Sequence, residues 1–313
     1  MGKVFFSGKY QLTKKGILRY YFNRFIRIIP LYIFVLIVSL IIYRDVLNQN
    51  GTILFRFLTF TANDFLSVYG FNGNLWTVSL LVQFYVLVPL IYFVLKKVHG
   101  WGIPHIFITT FIILFGMGTR MYYLSHYAFN NISNYVRYIY TPLITNLDIF
   151  LFCFYINVII KDMREKSSGK IHLLFQKKIA VALMLLLFFL VNFYSMNIGE
   201  NYARDGVIFI LLPTATYIIF SYLTISFEKE SYVGRISMYA VPLSFLNFVS
   251  KLSYGAYLWH WPVIDLFHLR NTHGTQLSPF LLKFIATFIL TLGISFLTYK
   301  FIESKFARFK IKS

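Results

Sequence analysis

The chain is a succession of apolar runs, each about 17–24 residues long, separated by short polar connections. A helix of that length matches the roughly 30 Å hydrocarbon core of a bilayer. In lipid, backbone N–H and C=O groups must be satisfied internally, so only helices and closed barrels can span. These runs are continuous rather than alternating, which points to helices. Residues are 58% apolar and only 13% charged, too few charges to clothe a soluble domain of this size. The expected fold is an all-α, polytopic membrane helical bundle of about eight transmembrane helices, near 26–43, 75–95, 105–122, 142–160, 179–197, 206–227, 252–268 and 279–302. Thr52–Ser67 is apolar but carries Arg56, Asn63 and Asp64, and reads as a re-entrant or interfacial piece. No polar stretch is long enough for another domain, so 1–313 reads as one membrane domain. The first 25 residues are basic and lack the apolar core of a signal peptide. The single Cys153 is read as excluding a disulfide framework and a zinc site, and as packing.

The net charge of +19 invites a nucleic-acid reading, but its distribution argues for topology. If the spans alternate, 23 basic residues fall on one side and 6 on the other, with Lys283 inside the last span. That bias is the positive-inside rule, and it expects both termini in the cytoplasm and no nucleic-acid partner. Lys283 reads as a snorkelling side chain.

Several polar residues are not explained by topology. His260 lies in LSYGAYLWHWP, inside an apolar run and flanked by Trp259 and Trp261; Tyr257 lies one turn earlier and Pro262 follows. An ionisable side chain within a span is a functional hypothesis by default, and the alternative is a hydrogen bond to a neighbouring helix. Arg24 and Arg27 share a helical face at the basic end of the first span. Two guanidiniums there suit a phosphorylated ligand or lipid headgroups. Glu303 follows the last span and either pairs with one of these arginines or caps a solvated helix end. Asp148 needs a partner or a watery cavity. Gln83 and Tyr85 place polar groups in the second span, where they bond neighbouring helices or support a site.

Four segments, RFIRIIPLY, LWTVSLLVQFYVLVP, LSYGAYLWHWPV and FIESKF, together resemble the membrane acyltransferase family 3 in order and spacing. This family contains bacterial O-acyltransferases that acetylate surface carbohydrates. TNLDIFLFCFYINVI resembles a further motif in a middle helix, so the resemblance covers nearly the whole chain. It implies an integral protein of the bacterial cytoplasmic (inner) membrane, with the lipid bilayer as its setting. It implies acyl-CoA (acetyl-CoA) as donor substrate, a carbohydrate acceptor (surface polysaccharide or lipid-linked glycan), no permanently bound cofactor and no metal. Arg24 and Arg27 would then meet the acyl-CoA phosphates, with Lys14 and Lys15 beside them. His260 would be the general base or would support one. Glu303, Gln83, Tyr85, Asp148 and Tyr257 would support the site, and Trp76, Trp259 and Trp261 would stack on the acceptor sugar.

The chain departs from the family pattern in places. Leu81 and Val82 stand where many members carry a Glu pair, Asn146 where the middle motif has Arg, and Cys153 where it has Gly. Family members have ten spans, and the first carries an Arg and the His taken as catalytic. MGKVFFSGKYQ resembles sequence that follows the second span. The resemblance therefore implies two further spans upstream of Met1, and little activity from the 313 residues alone. His260 is the ninth residue of its expected span, about 12 Å in at 1.5 Å per residue. At that depth it can take a proton from an acceptor hydroxyl or orient another His. Two other readings stand beside this one: a polysaccharide polymerase or flippase, and an inactive truncated acyltransferase remnant. The former tends to carry a large Arg-rich outer loop, whereas the longest outer loops here hold two Arg each.

Overall fold

The computed structural model describes residues 10–45, 52–64, 72–127, 132–166, 179, 182–190, 206–226, 243–267 and 277–311. Every regular element among them is helical. The main helices are α1 (Lys14–Ile42), α2 (Thr52–Leu58), α3 (Leu75–Gly100), α4 (His105–His126), α5 (Leu143–Lys166), α6 (Gly206–Ser226), α7 (Leu243–Leu266) and α8 (Leu277–Thr298). They fall into two compact units. The terminal unit comprises Thr13–Val86 and Leu243–Ser313, and the central unit Met1–Leu12 and Leu87–Pro242. The α3 helix contributes its first half to the terminal unit and its second half to the central one.

Five helices among the described residues are long and apolar enough to cross a membrane: Lys14–Ile42, Leu75–Gly100, His105–His126, Leu143–Ile160 and Leu281–Ala307. The protein is a polytopic helical membrane protein. Three of the eight expected spans are not among those five. Of the expected span at 179–197 the structure describes 179 and 182–190, all helical, a stretch too short to count as a span. In α6 the described apolar run is only Ile210–Leu223. In α7 Lys251, His260 and Asp265 dilute an otherwise apolar helix.

Two helices begin earlier than hydropathy suggests, because hydropathy detects a lipid environment rather than a helix. Helix α1 starts twelve residues before position 26, at Lys14, capped by Thr13, whose Oγ1 accepts from the Gly16 N–H at 3.1 Å. Helix α7 starts at Leu243, nine residues before 252, which makes His260 its eighteenth residue rather than the ninth of a shorter span.

The core of the terminal unit gathers Leu31, Tyr32, Val35 and Leu36 of α1, Ile53 and Phe57 of α2, Leu75 and Val78 of α3, and Leu258 and Trp259 of α7. The short α2 helix is thus buried on one side, and Tyr32 Oη donates to the Phe57 carbonyl at 2.8 Å. The chain then turns at Phe60, which has a positive φ of 55°. Gln83 holds this turn, donating to the Phe60 carbonyl at 2.7 Å and exchanging hydrogen bonds with Asn63. Helices α7 and α8 approach closely at Gly255, where an added Cβ would lie 3.3 Å from that of Ser295. In the central unit α4, α5 and α6 pack on one another. Apolar side chains point outward along α4 (Phe107, Phe111, Leu114) and α8 (Leu282, Phe284, Phe288), a surface suited to lipid.

Candidate active site

The terminal unit carries two features at different levels of α1. The first is a cavity of about 950 Å³, lined by Lys14, Lys15, Leu18, Arg19, Tyr21, Phe22, Arg24, Phe25, Ile28 and Ile29 of α1, Val82, Tyr85 and Val86 of α3, Phe60 and Ile311. Its walls are apolar and aromatic, while the cations come from the first turns of α1. Arg24 lies over the Tyr20 and Tyr85 rings, 5.5 and 5.4 Å from their centroids, which holds its guanidinium against the wall. The Ile311 backbone closes one side: its carbonyl accepts from Asn23 Nδ2 at 3.1 Å and Arg19 Nε at 3.4 Å, and its N–H donates to Asn23 Oδ1. Arg27 is exposed and is not part of the lining. The structure therefore separates the arginine pair expected to act together.

Among the described residues, Glu303 makes no ion pair with either arginine. It ends a π-helical turn, Tyr299–Glu303, that follows α8, and its Oε1 is buried without a hydrogen-bond partner. Gln83 braces the Phe60 turn, and Tyr85 forms the floor under Arg24.

The second feature surrounds His260. Its Nδ1 lies 3.3 Å from the Ala256 carbonyl one turn back, and Asn74 Nδ2 lies 3.2 Å from its Nε2. Asn74 Nδ2 is also 3.3 Å from Nδ1, so the amide sits beside the ring within reach of both nitrogens. The Asn74 amide also donates to the Tyr257 carbonyl, 3.2 Å away. Asn74 is itself placed by the turn that starts α3, where its backbone N–H donates to Asn72 Oδ1 and its carbonyl accepts from Thr77 Oγ1. Asn72 is buried and ties Ser39 of α1 to the Leu258 carbonyl of α7. Nearby, Tyr43 Oη donates to Asp265 Oδ2 at 2.6 Å.

The tryptophans part company. Trp259 is 6% exposed and sits in the core in an edge-to-face contact with Phe34, whereas the stacking role expected of it needs an open ring face. Trp261 lies against Gly73, whose missing side chain makes room for the indole, and Trp76 stands in the first turn of α3. Tyr257 is 39% exposed, with its ring 5.7 Å from that of His260. Asp148 belongs to the central unit, where Arg120 holds it.

Sequence reasoning missed Asn72, Asn74 and Arg120. Asn72 and Asn74 stand just before LWTVSLL, and polar amides at the start of a span were the available signal. Arg120 falls near the end of the expected 105–122 span, so an ionisable side chain within an apolar run was its signal.

Residues 4–300 match the model of the family described as acyltransferase domain, family 3. Three proteins named "Putative O-acetyltransferase", from Staphylococcus aureus strains COL, MSSA476 and MRSA252, are each 30% identical over 121 residues. That stretch is 39% of this chain and 18% of each relative, so the chain spans under a fifth of the length of the curated relatives it matches. No solved structure matches the chain. A family match over nearly all of the sequence, on a polytopic helical protein, places the chain in acyltransferase family 3, whose members are membrane acyltransferases.

Proposed function

We propose that this chain moves an acetyl or other short acyl group from cytoplasmic acyl-CoA to a hydroxyl of a surface polysaccharide or lipid-linked glycan. It does so in the bacterial cytoplasmic membrane, with both termini in the cytoplasm and about eight spans. The observation that carries this reading is the cavity at the start of α1, with an apolar interior and a rim of Lys14, Lys15, Arg19 and Arg24. Acyl-CoA combines anionic phosphates with a long, largely uncharged arm. The rim suits the former and the interior the latter.

The level of Arg24 is fifteen residues from Ser39, which Asn72 links to the His260 end of α7. That is about 22 Å along the helix at 1.5 Å per residue, on the order of a pantetheine arm with its acyl group. His260 then serves at the acceptor end. The Asn74 amide, within 3.3 Å of both ring nitrogens, holds the imidazole at rest and gives way when the acceptor hydroxyl takes its place. The Staphylococcus aureus relatives carry O-acetyltransferase in their names, which supports the reaction class.

The test is binding of acetyl-CoA to the purified chain, followed by transfer of labelled acetyl to glycan in membranes. Saturable binding that weakens in Arg24→Ala supports the reading. Binding that is absent, or indifferent to Arg24→Ala in folded protein, refutes the CoA assignment. Assembly or translocation of glycan without acyl-CoA would favour the polymerase or flippase class.

A further inference from the structure

In the central unit, three ligand-type side chains converge from three helices. His99 lies in the last turn of α3, His105 is the first residue of α4, and Asp162 lies near the end of α5. His105 Nε2 is 3.0 Å and His99 Nε2 3.4 Å from the same carboxylate oxygen, Asp162 Oδ2. All three atoms lie within 4.8 Å of one another. We propose that His99, His105 and Asp162 form a binding site for a divalent transition-metal ion, zinc in the first instance.

The geometry suits such an ion. Tetrahedral zinc with bonds of about 2.0–2.1 Å separates its ligand atoms by about 3.3 Å. Both separations to Asp162 lie within a few tenths of an ångström of that. The imidazole rings are stacked, 13° from parallel with centroids 5.7 Å apart, so both can present a nitrogen to the same side. The turn between α3 and α4 makes this possible. Gly102 adopts a φ of +71°, and its N–H donates to the His99 carbonyl at 3.0 Å. Pro104 then starts α4 directly before His105.

A second observation points the same way. His105 Nδ1 lies 2.7 Å from the hydroxyl of Tyr155, a residue 1% exposed. In the tautomer that donates Nδ1–H to Tyr155, one of the two these contacts allow, the lone pair sits on Nε2, directed at the cluster. This is how metal-binding histidines are oriented by a partner behind them. Two imidazoles and one carboxylate leave a fourth position for water, and the set favours zinc over calcium or magnesium. The ion would join the ends of α3, α4 and α5. The proposal is independent of the acyl-transfer reading and contradicts the expectation that the protein holds no metal.

The test uses the full chain, purified in detergent without a polyhistidine tag, stripped with chelator and titrated with zinc against a chromophoric competitor. The expected result is one tight equivalent. Affinity should fall at least about 100-fold in His99→Ala and His105→Ala, and about 10–100-fold in Tyr155→Phe. Cobalt substitution should give the intense visible bands of a four-coordinate ion. The amide of Asp162→Asn can donate to His105 Nε2, so the variant should fold while losing affinity. Failure of the wild-type chain to bind a stoichiometric ion overturns the site, whatever the variants do. So does binding that survives in folded Asp162→Asn and His99→Ala.

Discussion

Arg120 Nη2 donates to Asp148 Oδ1 at 2.6 Å, with both side chains almost fully buried between α4 and α5. The other guanidinium nitrogen, Nη1, reaches Thr214 Oγ1 at 3.1 Å, so α6 joins the same knot. Removing one partner strands a buried charge, typically worth about 3–5 kcal/mol. Asp148→Ala and Arg120→Met should each lower the thermal midpoint of detergent-purified protein markedly. The double variant Arg120→Met with Asp148→Leu should recover part of the loss. A double variant no better than the singles would show that the pair is not a closed electrostatic unit.

Gly116 allows that pair to form. A Cβ there would fall inside the Asp148 carboxylate, whereas one at Gly118 meets nothing within 4 Å. Gly116→Ala should therefore destabilise the central unit, while Gly118→Ala should be neutral or slightly stabilising through helix propensity. Size-exclusion profiles after graded heating compare the two directly. Equal behaviour would contradict the close approach of α4 to α5 at Gly116.

Arg24 and Arg27 should behave differently, because only Arg24 lines the cavity. Arg24→Ala should raise the KM for acyl-CoA by about 10-fold or more, the scale of one lost charge-assisted contact. The penalty should shrink at high salt, which already weakens the wild-type contact. Arg27→Ala should change KM little. Equal penalties would return the binding role to the pair.

His260 and Asn74 should separate by the size of their effects. His260→Gln retains a hydrogen-bonding side chain but cannot shuttle protons near neutral pH, so in a preparation that acylates glycan the rate should fall by about 10²–10⁴-fold. Asn74→Ala should lower turnover less and leave acyl-CoA affinity unchanged. Near-wild-type turnover in His260→Gln would reduce the histidine to a structural link.

Topology is testable with single cysteines on a Cys153→Ser background. Trp101 stands in the turn between α3 and α4, and Tyr127 follows α4. An impermeant maleimide should label Tyr127→Cys in intact cells and Trp101→Cys only after permeabilisation. The reverse pattern would invert the orientation and move the cavity to the outer face.

Much of the helical plan was legible because continuous apolar runs leave the backbone few alternatives. The starts of α1 and α7 were not, since the lysines and arginines of 14–27 and the polar residues before 252 are compatible with a helix but not with lipid. Within the site, the sequence singled out His260 and Arg24 as ionisable groups in apolar surroundings. It could not show that Arg24 turns into the cavity while Arg27 turns out, because residues three apart diverge enough on a helix for one to be buried and the other wet. Partnerships across long separations were also illegible: Arg120 with Asp148, Asn74 with His260, and His99 and His105 with Asp162. No spacing rule links such residues; only the packing of their helices does.

Leu31, Val35, Val78 and Leu258 have no surface open to solvent, and they fill the level between the Arg24 cavity and His260. For a cell that stores energy as a proton gradient, this layer is electrical insulation. A water-filled path through such a bundle would discharge the membrane it sits in. On the proposed acyl-transfer reading, an acyl group would pass these four side chains only in a brief, plugged passage, with the donor's own chain filling the gap it opens. Trimming Val78 or Leu258 to Ala should register first as proton leakage, measurable in sealed vesicles with no substrate present.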